Sequence, residues 1–271
     1  MITFKPTKYK RTPSGINILK YEQIESITEE LLKDYDYSYL TTPKELEMED
    51  FAINYLEAHE VDYQYIWTKD PRIKVLGVTT FNDCKIPIIN GDRKTKELYP
   101  YNKHSIIIDR SLVDGTRDAQ FGITAFHECG HLYLHKRIYE EMEGQLSLAI
   151  DGDKTICSRT DIESYKKNRM TSDHEWLEWQ ATIFAVTIAL NSKSVSVFMN
   201  EVFKKDKIKE EILILDNPDD YGFIQNYLLP QMSSIYGISK EAVFYRLMKL
   251  GYIKSLKDYE KDKAQLTIYD I

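Results

Sequence analysis

Gly122-Ile123-Thr124-Ala125-Phe126-His127-Glu128-Cys129-Gly130-His131-Leu132-Tyr133-Leu134-His135 is the stretch that organises this chain. His127 and His131 stand four residues apart, and in an α-helix that spacing places both on one face. Both imidazoles can then meet a single metal ion at nitrogen distances of about 2.0–2.1 Å. Glu128 lies about a hundred degrees around the helix from His127. That offset keeps its carboxylate off the metal yet close to a water bound there, where it can act as general base and then pass the proton to a leaving amine. Cys129 turns to roughly the opposite face and reads as packing. No proline interrupts Arg117 to about Tyr139. A long helix is therefore allowed despite Gly122 and Gly130, each costing roughly 1 kcal/mol. Phe121, Ile123, Ala125, Phe126 and Leu132 give that helix an apolar flank, which a solvated surface helix does not need.

Catalytic zinc usually takes three protein ligands and leaves a fourth position to water. Two histidines are one ligand short, and the best source is a later helix expected from Asp173 to about Leu190. There Asp173-His174-Glu175-Trp176-Leu177-Glu178 borders a buried apolar run. Glu178 is the first choice. Glu175, one turn earlier on nearly the same face, and His174, four residues earlier, stay open as ligand or as supporting contact.

Upstream of the histidines, residues 1–20 carry Pro6, Pro13 and Gly15 without periodicity and read as an irregular arm. Ile24, Ile27, Leu31 and Leu32 form one stripe of a helix over Tyr21–Tyr35. Thr42 and Pro43 suggest the N-cap and first position of a second helix reaching about Glu60, with Leu46, Phe51, Ile53, Leu56 and Ala58 as its apolar face. Four strands follow over Val61–Trp67, Lys74–Phe81, Cys84–Ile89 and Ser105–Asp109, parted by turn signals at Asn82-Asp83 and Asn90-Gly91. They make a small, largely antiparallel sheet. Glu141 to about Ser172 is polar and irregular, and the chain from Ser194 onward reads as mostly helical, punctuated by Pro218 and Pro230.

The bulk properties restrict the function. At 271 residues and 42% hydrophobic content the chain can build its own core. The first twenty residues contain no apolar signal segment, and Ala181–Leu190 is too short to span a membrane, so a cytoplasmic protein without a membrane partner is expected. Three cysteines at unpatterned spacings argue against a disulfide framework. A net charge of −7 disfavours whole-surface attraction to nucleic acid. Leu228–Gly251 has helix-turn-helix character, with Lys240, Arg246 and Lys249 near its turn; so few basic residues favour packing or substrate recognition over DNA contact. His59 and His104 read as surface residues, and His135 as a helix-end residue more readily than as a support for His131. The strand Ser105–Asp109, if at a sheet edge, offers a place for substrate to add as a strand.

The histidine stretch resembles the RFTLAHELGHLLLH signature of the ImmA/IrrE family of zinc metallopeptidases. Glu178-Trp179-Gln180-Ala181-Thr182-Ile183-Phe184-Ala185 is similar to that family's ExxANxFA helix, and Ile235–Gly251 to its FxVSxxAxxxRLxxLG segment. The three motifs keep the family's order from Gly122 to Gly251. Gly122 replaces the usual arginine, Ile123 the phenylalanine and Thr182 the asparagine, while Asn191 falls where many members place proline. The resemblance implies one Zn2+ per chain held by His127, His131 and Glu178, with Glu128 catalytic, and so raises Glu178 above Glu175. It also implies a protein substrate, a transcriptional repressor of the helix-turn-helix kind.

The expectation is therefore an α+β fold: a zincin-like metallopeptidase core over residues 21–195, with a mixed or antiparallel sheet and the HExxH helix. A helical region over 196–271 follows it. The expected reaction is peptide hydrolysis by Glu-assisted attack of zinc-bound water. The rival is a non-proteolytic regulator, binding DNA or a repressor, whose metal site is structural and closed by a fourth protein ligand. A lesser rival, hydrolysis of a small molecule, calls for a deep enclosed pocket.

Overall fold

The structure is a computed structural model and describes residues 2–5, 9–69, 72, 74–90, 95–114, 120–141, 154–158, 170, 172–208 and 211–269. In chain order the elements are β1 (Lys10–Arg11), β2 (Asn17–Ile18), α1 (Tyr21–Tyr35), α2 (Ser38–Thr41) and α3 (Met48–Asp50). Then come β3 (Glu60–Ile66), β4 (Val75–Thr80), β5 (Cys84–Ile89), β6 (Lys96–Tyr101), β7 (Ser105–Asp109), α4 (Phe121–Gly130), α5 (Lys136–Glu141) and β8 (Lys154–Ser158). The remainder is α6 (Asp173–Ala189), α7 (Ser192–Asp206), β9 (Leu213–Ile214), α8 (Pro218–Phe223), α9 (Leu229–Tyr236), α10 (Lys240–Leu250), β10 (Ile253–Lys254) and α11 (Leu256–Tyr269). The class is α+β, as expected.

Among the described residues, six strands form one mixed sheet in the order β6-β5-β3-β7-β4-β8. Its one parallel pairing is β3 with β7; the others are antiparallel. The Ile106-Ile107-Ile108 run of β7 is continuous rather than alternating because both faces are covered. Ile106 and Ile108 enter the main helical core, whereas Ile107 joins Val75, Val78, Ile86, Ile88 and Tyr101 on the other side. Since β7 lies between β3 and β4, it has no free edge, and the expectation of strand addition there is overturned.

Several boundaries differ from the sequence expectation. The helix anticipated from Thr42 starts instead at Met48, after Glu47, and continues through wider turns over Phe51–Tyr55. Thr42 is extended, with φ −129° and ψ 120°, because the following Pro43 ring disfavours helical backbone before it. β6 and β8 are additional strands, the latter inside the stretch expected to be irregular; residues 142–153, 159–169 and 171 of that stretch lie outside the described residues. So do Pro6, Gly91 and the Arg117 start of the long helix. The arm over 1–20 contains the β1–β2 pairing and buries Ile16, Asn17 and Leu19.

α6 is buried almost all round from Leu177 to Ala189, so it runs through the core rather than along its surface. Asn191 caps α7 by accepting a 3.0 Å bond from the Lys193 amide. No single described helix is long and apolar enough to cross a membrane; α6 and α7 pass that test only as a pair bent by 46°.

Two helices, α9 and α10, flank the turn at Gly237, and Arg246 of α10 faces inward. That guanidinium donates to Glu25 Oε1 at 2.5 Å, the Tyr21 hydroxyl at 2.6 Å and the Leu190 carbonyl at 2.9 Å. A fully buried arginine with such partners clamps α10 onto α1 and the end of α6, leaving Lys240 and Lys249 on the surface.

Candidate metal centre

α4 and α6 cross closely because Gly130 lacks a side chain. A Cβ there would lie 3.1 Å from Ala181 Cα, the Ala181 carbonyl oxygen and Phe184 Cβ. This approach, at the residue next to His131 and three past His127, brings Glu178 of α6 to both histidines. His127 Nε2 is 3.1 Å from Glu178 Oε2, His131 Nε2 is 3.4 Å from Glu178 Oε1, and the two Nε2 atoms are 2.9 Å apart. All three side chains are buried, and their donor atoms lie within 4.8 Å of one another. Three donor atoms crowd here out of contact with solvent, and Glu178 Oε1 makes no hydrogen bond. Such a set of donor atoms can close around a cation, and two imidazoles with one carboxylate suit zinc or a similar divalent metal. These residues can hold a metal ion.

The hydrogen bonds behind the ligands point their lone pairs inward. Thr182 donates its hydroxyl proton to the Glu178 carbonyl at 2.9 Å, and the hydroxyl oxygen of Thr182 is itself 3.2 Å from His127 Nδ1. With its proton committed, that oxygen accepts from Nδ1–H, which leaves Nε2 unprotonated toward the site. After Gly130 the helix widens over His131–His135 before resuming as α5, the kind of local expansion common at functional positions. There His131 Nδ1 lies 2.9 Å from His135 Nδ1. His135 is fully buried in the middle of a continuous helix, so the helix-end reading is replaced by that of a partner for His131.

Electrostatics keeps the donors in their ligand-ready states. Burial lowers the His131 pKa, outweighing the opposing Glu178 charge, and lowers His135 further, with the neighbouring His131 adding to the effect. Burial alone would raise the Glu178 pKa, but the adjacent imidazoles, His131 first and then His127, outweigh it and hold the pKa well below the ordinary carboxylate range.

Glu128 reaches toward β4. Thr79 donates to its Oε2 at 2.5 Å, and a Cβ at Gly77 would lie only 2.5 Å from its Oε1. Positions 77 and 79 share one face of the strand, so one strand both hydrogen-bonds the carboxylate and makes room for it. Of the alternatives left open by sequence, His174 Nδ1 reaches 3.8 Å from Glu178 Oε1 with its side chain half exposed, at the edge of the cluster rather than in it. Glu175 uses its backbone amide in the Ser172 cap and is not among the clustered ligands. Cys129 is fully buried, as expected for packing, and burial pushes its thiol pKa up. Sequence spacing gave no sign of Gly77 or Thr79, because their contact with Glu128 joins a strand to a helix distant in the chain.

No protein-family model matches the sequence, and no curated protein matches it.

Proposed function

We propose that this chain is a zinc-dependent endopeptidase of the ImmA/IrrE kind, cleaving a protein substrate in the cytoplasm, with a helix-turn-helix transcriptional repressor as the target class. The observation that carries this reading is the buried convergence of His127, His131 and Glu178 beside a separately held Glu128. Zinc at such a site supplies Lewis-acid polarisation of the scissile carbonyl and makes water acidic enough to ionise near neutral pH. Glu128 takes the proton from the attacking water and gives it to the amine as the C–N bond breaks. Thr79 and Gly77 fix where that carboxylate sits, while Thr182 and His135 fix the ring faces of His127 and His131.

A closed structural site takes a fourth protein ligand. Among the described residues the clustered ligands are His127, His131 and Glu178, which favours an open coordination position and a catalytic role. Cys129, a buried thiol outside any disulfide, suits a reducing compartment.

The test is co-expression of the wild type and Glu128→Gln with helix-turn-helix repressors as candidate substrates. Repressor fragments are expected with the wild type alone. Equal processing by both would remove Glu128 from the chemistry, and processing by neither across the repressor set would remove the proposed substrate class.

A further inference from the structure

α6 comes out of the core beside the ligand set: Leu177 and Glu178 are buried, whereas Ser172–Trp176 are exposed or partly so. His174, four residues before Glu178 and therefore on the same helical face, has a half-exposed side chain. Its Nδ1 lies 3.8 Å from Glu178 Oε1, a carboxylate oxygen without a hydrogen bond that is 3.4 Å from His131 Nε2. His174 is not among the residues whose ligand atoms lie within 4.8 Å of one another. It links a buried set of donor atoms with solvent, too far out to belong to the set and close enough to meet what enters it.

We propose that His174 is a further catalytic residue, donating a hydrogen bond to the scissile carbonyl oxygen of a peptide substrate as that oxygen gains negative charge. The inference rests on the metallopeptidase reading above. A peptide arrives from solvent, and among the described residues His174 gives it an exposed group beside the ligands. The unbonded Glu178 Oε1 favours the tautomer with its proton on Nδ1, which turns an N–H toward the ligand set. Neutral or charged, an imidazole keeps at least one N–H, so the role does not depend on its titration. A donor held beside developing charge, next to ligands that are buried, favours the transition state over the ground state, in which the carbonyl oxygen is only weakly charged. Glu128 cannot take this part, because a carboxylate only accepts and its Oε2 already holds the Thr79 hydroxyl proton. His174 gives a hydrogen bond and keeps its proton, so the transfer from water to the leaving amine through Glu128 is unaltered.

The experiment uses the full chain loaded with cobalt, a coloured stand-in for zinc, as wild type, His174→Leu and His174→Gln. Chelator competition reads cobalt affinity, and the visible spectrum reads the binding of acetohydroxamate, a small ligand that offers a carbonyl oxygen without needing a peptide sequence. His174 is half exposed in the first turn of α6, so both variants are expected to fold. Cobalt affinity should stay within about threefold of wild type in both, less than the loss of a ligand's support costs. Acetohydroxamate should bind about tenfold more weakly to His174→Leu, and His174→Gln, which keeps an N–H donor, should recover most of the loss. On a repressor that the wild type cleaves, His174→Leu should lower kcat about a hundredfold to a thousandfold with KM little changed. Equal acetohydroxamate binding by wild type and His174→Leu would overturn the proposal. So would a fall of about tenfold or more in cobalt affinity, which would make His174 a ligand or its support. A wild type that binds no cobalt would bring down the metal site itself. A wild type that binds cobalt and acetohydroxamate yet cleaves no repressor would bring down the substrate class, while the acetohydroxamate comparison still decides for or against His174.

Discussion

Thr79 donates a 2.5 Å hydrogen bond to Glu128 Oε2 across 49 residues of sequence, joining the middle of a sheet strand to the residue beside His127. The bond is buried, so neither partner has water as a ready substitute. Removing the hydroxyl without changing shape, as in Thr79→Val, frees the carboxylate to turn. A loss of roughly a hundredfold in turnover is expected from that misplacement, with zinc stoichiometry unchanged. Thr79→Ser should retain most activity. Initial rates of substrate cleavage beside metal analysis check this, and a fully active Thr79→Val would remove Thr79 from the mechanism.

Gly77→Ala attacks the same carboxylate from the other side. Its new methyl would meet Glu128 Oε1 at 2.5 Å and Cγ at 2.8 Å, so the side chain must move. Zinc binding is expected to persist while cleavage falls, since Glu128 is not one of the clustered ligands. Parallel loss of both would show that the strand supports the ligands as well.

Gly130→Ala tests the helix crossing. Its contacts would be backbone atoms of Ala181 and the Phe184 Cβ, none of which can swing aside. Overpacking of this kind costs about 1–3 kcal/mol, to be read from urea unfolding. Separating α4 from α6 also carries Glu178 away from the histidines, so zinc affinity should fall in the same variant.

Zinc removal and ligand loss should appear in thermal stability. At about one hundred times its dissociation constant a ligand that binds only the folded state adds about 2.7 kcal/mol. Chelation is therefore expected to lower the melting temperature by several degrees. Glu178→Ala should abolish the difference between zinc-loaded and stripped protein, and a melting curve insensitive to metal in the wild type would contradict the site.

A separate pH dependence belongs to the Glu25–Arg246 pair. Burial raises Glu25, but the hydrogen bond and charge of Arg246, aided by Ser192 and Lys249, hold its pKa below the ordinary 4.5. The folded-state value is depressed, so the stabilisation is complete above about 4.5 and is lost as pH falls through the folded-state value. Wild-type urea midpoints should decline in that window. Glu25→Gln leaves a buried guanidinium uncompensated and should cost about 2–3 kcal/mol at neutral pH, discounted because Glu25 keeps partial solvent contact. Its acid decline should be shallower.

Local periodicity made much of the fold legible. The stripe Ile24, Ile27, Leu31 and Leu32 delimits α1 at Tyr21–Tyr35, and β5 and β7 fall where their apolar runs predict. β6 was not visible because Lys96–Pro100 is exposed and carries no buried alternation. The helix after Pro43 was misplaced because a good N-cap residue was weighed above the restriction that proline imposes on its predecessor. Position along the chain likewise suggested a free edge at β7, whereas sheet order depends on pairings such as Glu60 with Ser105 that no local pattern encodes.

At the centre, the amino-acid order alone determined that His127 and His131 share a helical face and that Glu128 is turned off it, since those relations follow from helix geometry within one turn. Which acid completes the set was decided only in three dimensions, by the close crossing at Gly130 and Ala181 that delivers Glu178 and leaves His174 at the margin. The contacts of Thr79 with Glu128, of Thr182 with His127 and of His135 with His131 were decided there too. A hydrogen bond is set by distance and direction in space, and residues far apart in sequence acquire both only when the core between them has packed.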